Sequence, residues 1–244
     1  MADRPIIFSG PMVRALLDGR KTQTRRILKL QPIQFETSEG LAPVGLLHVN
    51  GEAVPRVTIG RVITEQKVRY AVGDRLWVRE AHQFANSGDG PCVLMRATSS
   101  RWSPEWTGPD EGAGPSYDYD RCPGDYSRWA ADVESTDTPW RPSIHMPRWA
   151  SRLTLVVTEV RVERLNTISP ADAIAEGIQD LRTPDHSDFG IPGLVNAQHP
   201  VRAFWLLEEH INGEGSWLAN PWVAAISFTV HRANIDALSM ELAA

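Results

Sequence analysis

The stretch Gly19-Arg20-Lys21-Thr22-Gln23-Thr24-Arg25-Arg26 constrains this chain most, because it sets four cations and two hydroxyls directly behind a glycine. A short apolar run, Ile6-Ile7-Phe8, comes before it, followed by a helical pattern from Pro11 to Asp18. Pro11 suits a first helical position, where its missing N–H costs nothing. Met12, Val13, Leu16 and Leu17 give that helix one apolar stripe. Gly19 falls just past the helix end, where a left-handed residue is easiest for glycine. The chain then turns, and the spacing predicts a strand from Thr22 to Leu28. Alternate strand side chains share a face, so Thr22, Thr24 and Arg26 point one way and Arg25 the other. Lys21 sits at the turn, where its long arm can swing toward Thr24. A lysine beside a hydroxyl makes a base–nucleophile pair when burial or a nearby cation keeps the amine neutral. Arg20, Arg25 and Arg26 supply such cations. From spacing alone, a solvated basic turn is the commoner reading of the same residues.

The 244 residues suffice for one domain with elaborations and a substantial core. Its 42% hydrophobic and 23% charged content is that of an ordinary globular protein. No apolar run approaches the ~18 residues of a membrane span. Met1-Ala2-Asp3-Arg4-Pro5 lacks the layout of a signal peptide. Cys92 and Cys122 form no C-x-x-C pair and no secreted disulfide framework, so the expectation is a cytoplasmic protein. Neither a metal centre nor a cofactor is expected. A formal net charge of −5 argues against binding nucleic acid by bulk charge. It leaves room for a local basic groove near Lys21, Arg141, Arg148 and Arg152.

Residues 31–68 read as an elaboration, broken by Pro43, Gly45 and Gly51, in which Val57 to Ile63 can be a strand interrupted by Gly60. After the Gly73-Asp74 turn, Leu76 and Val78 alternate with Trp77 and Arg79 as a strand that ends on Glu80 and His82. That carboxylate and imidazole can serve acid–base chemistry, or stand in solvent as strand-end residues. Residues 86–138 form a Gly/Pro-broken insertion, within which Val93 to Ala97 can be a strand. Its aromatics, Trp102, Trp106, Tyr117, Tyr119, Tyr126 and Trp129, either stack on bases or pin the loop to the body. His145, among prolines, is open to a catalytic, base-binding or structural role. A long strand is expected over Leu153 to Leu165. A short helix follows near Ile168 to Ile178, with Ser169 as N-cap, Pro170 at N1 and Asp172 in a capping-box position. Glu176 then lies in its last turn, the disfavoured end for an anion unless a cation meets it, and Lys21 is the obvious candidate. Otherwise Glu176 is an exposed surface residue. Residues 179–198 read as a loop. Pro200 to Ile211 read as an amphipathic helix with Phe204, Leu207 and Ile211 on its stripe, and Trp222 to Val230 as the last strand. Residues 233–244 form a tail that can be helical.

Ser9-Gly10-Pro11-Met12-Val13-Arg14-Ala15-Leu16-Leu17-Asp18 followed by GRKTQTRR resembles the start of ASCH-domain (ASC-1 homology) proteins of the PUA-like superfamily. The G-x-K-x-x-T-x-R signature is met by Gly19, Lys21, Thr24 and Arg26. Further blocks at 73–80, 140–152, 168–178 and 220–223 resemble the phage and prophage ASCH-like proteins. The resemblance implies an α+β fold: a small mixed PUA-like β-barrel with helices packed outside. One domain would span 1–232, with long insertions at about 31–68, 86–138 and 179–198. It also implies a function. Small bacterial ASCH proteins are amidohydrolases that remove acyl groups from N4-acylcytidines, and their catalytic trio falls by motif on Lys21, Thr24 and Glu176. In that mechanism Thr24 attacks the amide carbonyl, Lys21 takes its proton and Glu176 positions Lys21. Ser9, Arg26, Glu80 and His145 are the residues expected to contact the substrate, a modified nucleoside or nucleotide. Other members of the superfamily bind single-stranded RNA or have ribonuclease activity. A phage interaction protein that keeps the fold without the chemistry is the third possibility. This chain is over twice as long as the small enzymes.

Overall fold

The computed structural model describes residues 2–29, 31, 33–37, 40–49, 52–58, 68–87, 90–102, 107–110, 114–117, 139–183 and 188–241. The chain divides into two compact units. The first takes in Gly19–Asp74 and Val157–Thr229, the second Ala2–Asp18, Arg75–Val156 and Val230–Ala244. The class is mixed α+β, with several sheets and few helices, and no sheet among the described residues closes into a barrel.

In the second unit, β1 (Asp3–Ile7) pairs parallel with β6 (Arg75–Arg79), and β6 pairs antiparallel with the start of β12 (Thr154–Arg164), Trp77 facing Thr154. Helix α1 (Gly10–Leu17) follows β1 and buries Met12, Val13, Ala15 and Leu16, three of them the residues of the expected stripe. Strands β7 (His82–Ser87), β8 (Gly90–Met95) and β9 (Ser100–Trp102) form an antiparallel sheet. A hairpin joins β10 (Thr107–Asp110) to β11 (Gly114–Tyr117). The single strand expected after Gly73-Asp74 is therefore two, broken at Glu80-Ala81. Ser143–His145 and Arg148–Ala150 are 3-10 turns. The expected tail contains helix α4 (Ile235–Glu241). Asn234, just before it, donates from Nδ2 to the carbonyls of Arg148, Trp149 and Ser151 at 2.8–3.1 Å. Asp3 and Asp236 both bind Arg148, at 2.6 Å each, and Asp3 also holds Arg75.

In the first unit, β16 (Trp222–His231) pairs antiparallel with β2 (Gln23–Ile27), Ile226 facing Thr24 and Ala224 facing Arg26. Both faces of the first half of β16 are buried, from Trp222 through Ile226, rather than the one face that alternation implies. Residues 31–68, read as an elaboration, hold an antiparallel meander of β3 (Ile33–Thr37), β4 (Gly40–Val49) and β5 (Glu52–Thr58). Helix α2 (Pro170–Ala175) has the expected cap, Ser169 Oγ accepting from the Asp172 N–H at 3.1 Å. The loop at 179–198 contains a small sheet of β13 (Gln179–Asp180), β14 (Phe189–Ile191) and β15 (Val195–Ala197). Gly190 is required there, since a Cβ on it would lie 2.0 Å from the Val195 carbonyl oxygen. Helix α3 (Pro200–Asn212) buries Ala203, Phe204 and Leu207. Ile211, expected on the same stripe, is exposed in its last turn. No helix among the described residues is long and apolar enough to cross a membrane.

Candidate functional site

Glycine 19 ends α1's segment at φ +72°, the left-handed value its position called for, and the chain enters β2 past a buried lysine. The turn is fastened on both sides. The Thr22 N–H donates to the Ala175 carbonyl, and the Thr22 carbonyl accepts from the Phe228 N–H, each at 2.9 Å. The first of these bonds ties the start of β2 to the end of α2, and so brings Lys21 to Glu176 across more than 150 residues of sequence. Lys21 Nζ donates to the Glu176 carboxylate (Oε2) and to the Glu176 backbone carbonyl, both at 2.7 Å. Lys21 is 2% and Glu176 4% exposed. The cation therefore serves the C-terminus of α2 twice, satisfying an end carbonyl and neutralising the misplaced anion.

The other oxygen of Glu176 is also taken. Arg25 reaches it from Nη1 at 3.2 Å, while bonding Gln23 Oε1 at 2.6 Å from the same nitrogen. Arg25 Nη2 meets Glu163 Oε1 at 2.6 Å and Asp172 Oδ2 at 3.3 Å. Arg161 bonds the second oxygen of Asp172 at 3.1 Å. The Arg25 guanidinium lies over the Phe204 ring, 5.9 Å from its centroid. Gln23 and Arg25 thus share one face of β2 and fill it with a buried charge network. Thr24, itself 2% exposed, and half-buried Arg26 belong to the opposite face.

Burial depresses the Lys21 pKa below the ordinary lysine value, Glu176 opposes that fall, and the Arg26 charge adds to it. Glu208 on α3 belongs to the same electrostatic neighbourhood. Burial and the Glu176 charge raise its carboxyl to about 7, against the pull of Asn212, Arg26 and Lys21. Only the fold reveals this residue, because on the sequence it is one of two glutamates on a helix.

A stability prediction follows from Glu208. Its folded pKa lies above its unfolded value, so ionising it disfavours the folded state, and stability is lost as pH rises from about 4.5 to about 7. With partial solvent screening the loss is about 1–2 kcal/mol. Glu208→Gln should match the wild type near pH 4.5 and exceed it at pH 8, as read by urea unfolding at both pH values. Equal stability at pH 8 would show that Glu208 ionises freely.

The remaining expected contacts lie in the second unit. Glu80 is 2% exposed, and both its oxygens are held by Arg152, at 2.8 Å from Nε and 2.9 Å from Nη2. His82 is fully buried, with Nδ1 3.3 Å from the Glu80 backbone oxygen. The two are therefore neither strand-end residues in solvent nor joined as imidazole and carboxylate. Ser9 is exposed at the N-cap of α1 and makes no capping bond from its side chain. His145 is exposed in its 3-10 turn. Ser9 and Glu80 line a cavity of about 350 Å³ within this unit, and His145 is not among its lining residues. Tyr119, Tyr126, Trp106, Trp129 and Cys122 lie outside the described residues. Among the described residues, no group of three or more His, Cys, Asp or Glu has the arrangement to hold a metal ion. No protein-family model, curated protein or solved structure matches the chain.

Proposed function

We propose that this protein is a PUA-like, ASCH-type amidohydrolase that acts on an acylated exocyclic amine of a nucleoside or nucleotide, of the N4-acylcytidine type. The observation that carries this reading is the buried contact of Lys21 with Glu176, three residues ahead of Thr24 on β2. Burial lowers the proton affinity of Lys21, so that the ion pair with Glu176 can yield the neutral amine the reaction needs, and Glu176 fixes where its nitrogen points. In the proposed reaction Lys21 accepts the Thr24 hydroxyl proton as Oγ1 bonds to the acyl carbon. The protonated lysine then delivers that proton to the nucleobase nitrogen as the C–N bond breaks, leaving an acyl-threonine. Water hydrolyses this ester with Lys21 again as base, releasing the carboxylic acid and restoring the hydroxyl. Arg26, on the Thr24 face of β2, is the proposed substrate contact, through paired hydrogen bonds to a carbonyl or phosphate.

The test sets N4-acetylcytidine beside a short labelled single-stranded RNA, with purified protein and no added metal. Release of acetate and cytidine, lost in a folded Thr24→Ala variant, supports the reading. Tight, salt-dependent RNA binding without turnover would replace it with an RNA-binding function.

A further inference from the structure

The cavity in the second unit lies where the β1–α1 junction (Phe8, Ser9, Gly10), the end of β6 (Glu80, Ala81), the turn after β8 (Arg96, Ala97) and Ser143 come together, with Arg14 of α1 at its side. Its volume of about 350 Å³ is at the small end of ligand pockets, which run ~300–1,000 Å³. A small molecule fits it.

The charges of its lining decide which kind. Glu80 is the only acidic residue among the described lining residues, and Arg152 holds both oxygens of its carboxylate. Arg152 is in turn held by Ser100 and Thr98, so this pair is internally balanced. Among the described lining residues two cations are left over. Arg14 spends Nη1 on the Ala97 carbonyl at 2.8 Å, which pins its guanidinium to the cavity wall and leaves its other N–H groups in place. Arg96 stacks over Trp140, 5.8 Å from the ring centroid, so the ring covers one face and the in-plane donors stay available. Its guanidinium donates no hydrogen bond among the described residues.

We propose that this cavity is a binding site for a small molecule carrying an oxyanion, a phosphate or a carboxylate, with Arg14 and Arg96 as the recognising cations. The site is independent of the Lys21–Glu176 chemistry and is tested by binding rather than turnover. Calorimetric titration of the full chain uses inorganic phosphate, acetate, cytidine monophosphate and uncharged cytidine. At least one oxyanion should bind with an affinity that falls as salt rises, and phosphate against acetate identifies the group preferred. Arg14→Ala and Arg96→Ala should each weaken that binding about tenfold or more, the effect of a lost charge-assisted hydrogen bond. Arg202→Ala, which removes a cation stacked on Trp205 in the first unit, should leave it unchanged. Both cavity arginines are exposed, so thermal midpoints near that of the wild type are expected and would confirm intact folding. Three results would each overturn the proposal: no oxyanion bound at millimolar concentration, affinities unchanged in both variants, or cytidine bound as tightly as its monophosphate.

Discussion

Glu176→Ala is expected to cost about 3–5 kcal/mol of stability, the scale for removing one partner of a buried ion pair. The reason is geometric. One Glu176 oxygen answers Lys21 at 2.7 Å and the other answers Arg25 at 3.2 Å, and all three residues are almost fully buried. Arg25 keeps Glu163 and Asp172 after the change, but Lys21 loses the carboxylate it touches and keeps the carbonyl of residue 176 and the more distant charge of Glu208. A buried ammonium that loses the carboxylate it touches is driven to deprotonate or to unfold its surroundings. Urea unfolding of Glu176→Ala, Lys21→Met and the double variant forms a cycle. The double variant should be distinctly more stable than the two single losses added together, because neither stranded charge remains in it. A single-variant loss below about 1 kcal/mol would mean that the pair behaves as if exposed to solvent. On the proposed chemistry, Glu176→Gln, which keeps the shape and loses the charge, lowers kcat about 10²–10⁴-fold, because Lys21 loses the group that orients it.

Acidification from pH 6.5 toward 4 should destabilise the protein through His82. Its ring is fully buried, with Nε2 meeting no hydrogen-bond partner among the described residues and its edge against Phe84 at a centroid distance of 5.0 Å. Burial is the largest cause of a pKa lowered to about 4, with smaller contributions from the charges of Arg141 and His145, against the opposing Glu80 backbone oxygen. The unfolded chain therefore binds a proton near pH 6.5 that the folded chain refuses until about pH 4. Stability is complete above pH 6.5 and falls as pH drops toward 4, by about 3 kcal/mol. Glu208 titrates in the same window with the opposite sign, so the histidine slope between pH 6.5 and 4.5 is read in a Glu208→Gln background. His82→Leu, of similar bulk and without a titrating group, should flatten that slope in chemical unfolding measured at half-unit pH steps. A slope unchanged by the substitution would assign the effect to other residues.

Local rules carried much of the fold. The proline at the front of α1, the glycine at φ +72° behind it and the Ser169 cap of α2 each follow from a preference of one residue for one backbone conformation. The same holds for β12, whose β-branched run needs only its own sequence to favour an extended backbone. Of the strand expected over Val57 to Ile63, only Val57 and Thr58 lie among the described residues, at the end of β5. The strands at 33–49 and 179–197 were not legible. Their glycines and prolines break the pattern locally, and pairing with a neighbour is what holds them extended, as Gly190 against Val195 shows. Glu80 and His82 were legible as neighbours on a strand end, but burial and partner choice were not. Arg152 lies 72 residues from Glu80, and no spacing rule links them.

The sequence by itself determined that a lysine, a threonine and two arginines would stand at a helix-to-strand turn, because glycine and proline place that turn through their backbone preferences. Whether the lysine is a solvated surface cation or a buried, depressed amine was decided only by the tertiary structure. Desolvation and ion pairing depend on what packs against a side chain, and here Glu176, Glu163 and Asp172 come from more than 130 residues further along the chain. The same cause hides Glu208, whose proton affinity is set by Glu176, Arg26, Lys21 and burial rather than by its neighbours on α3 alone.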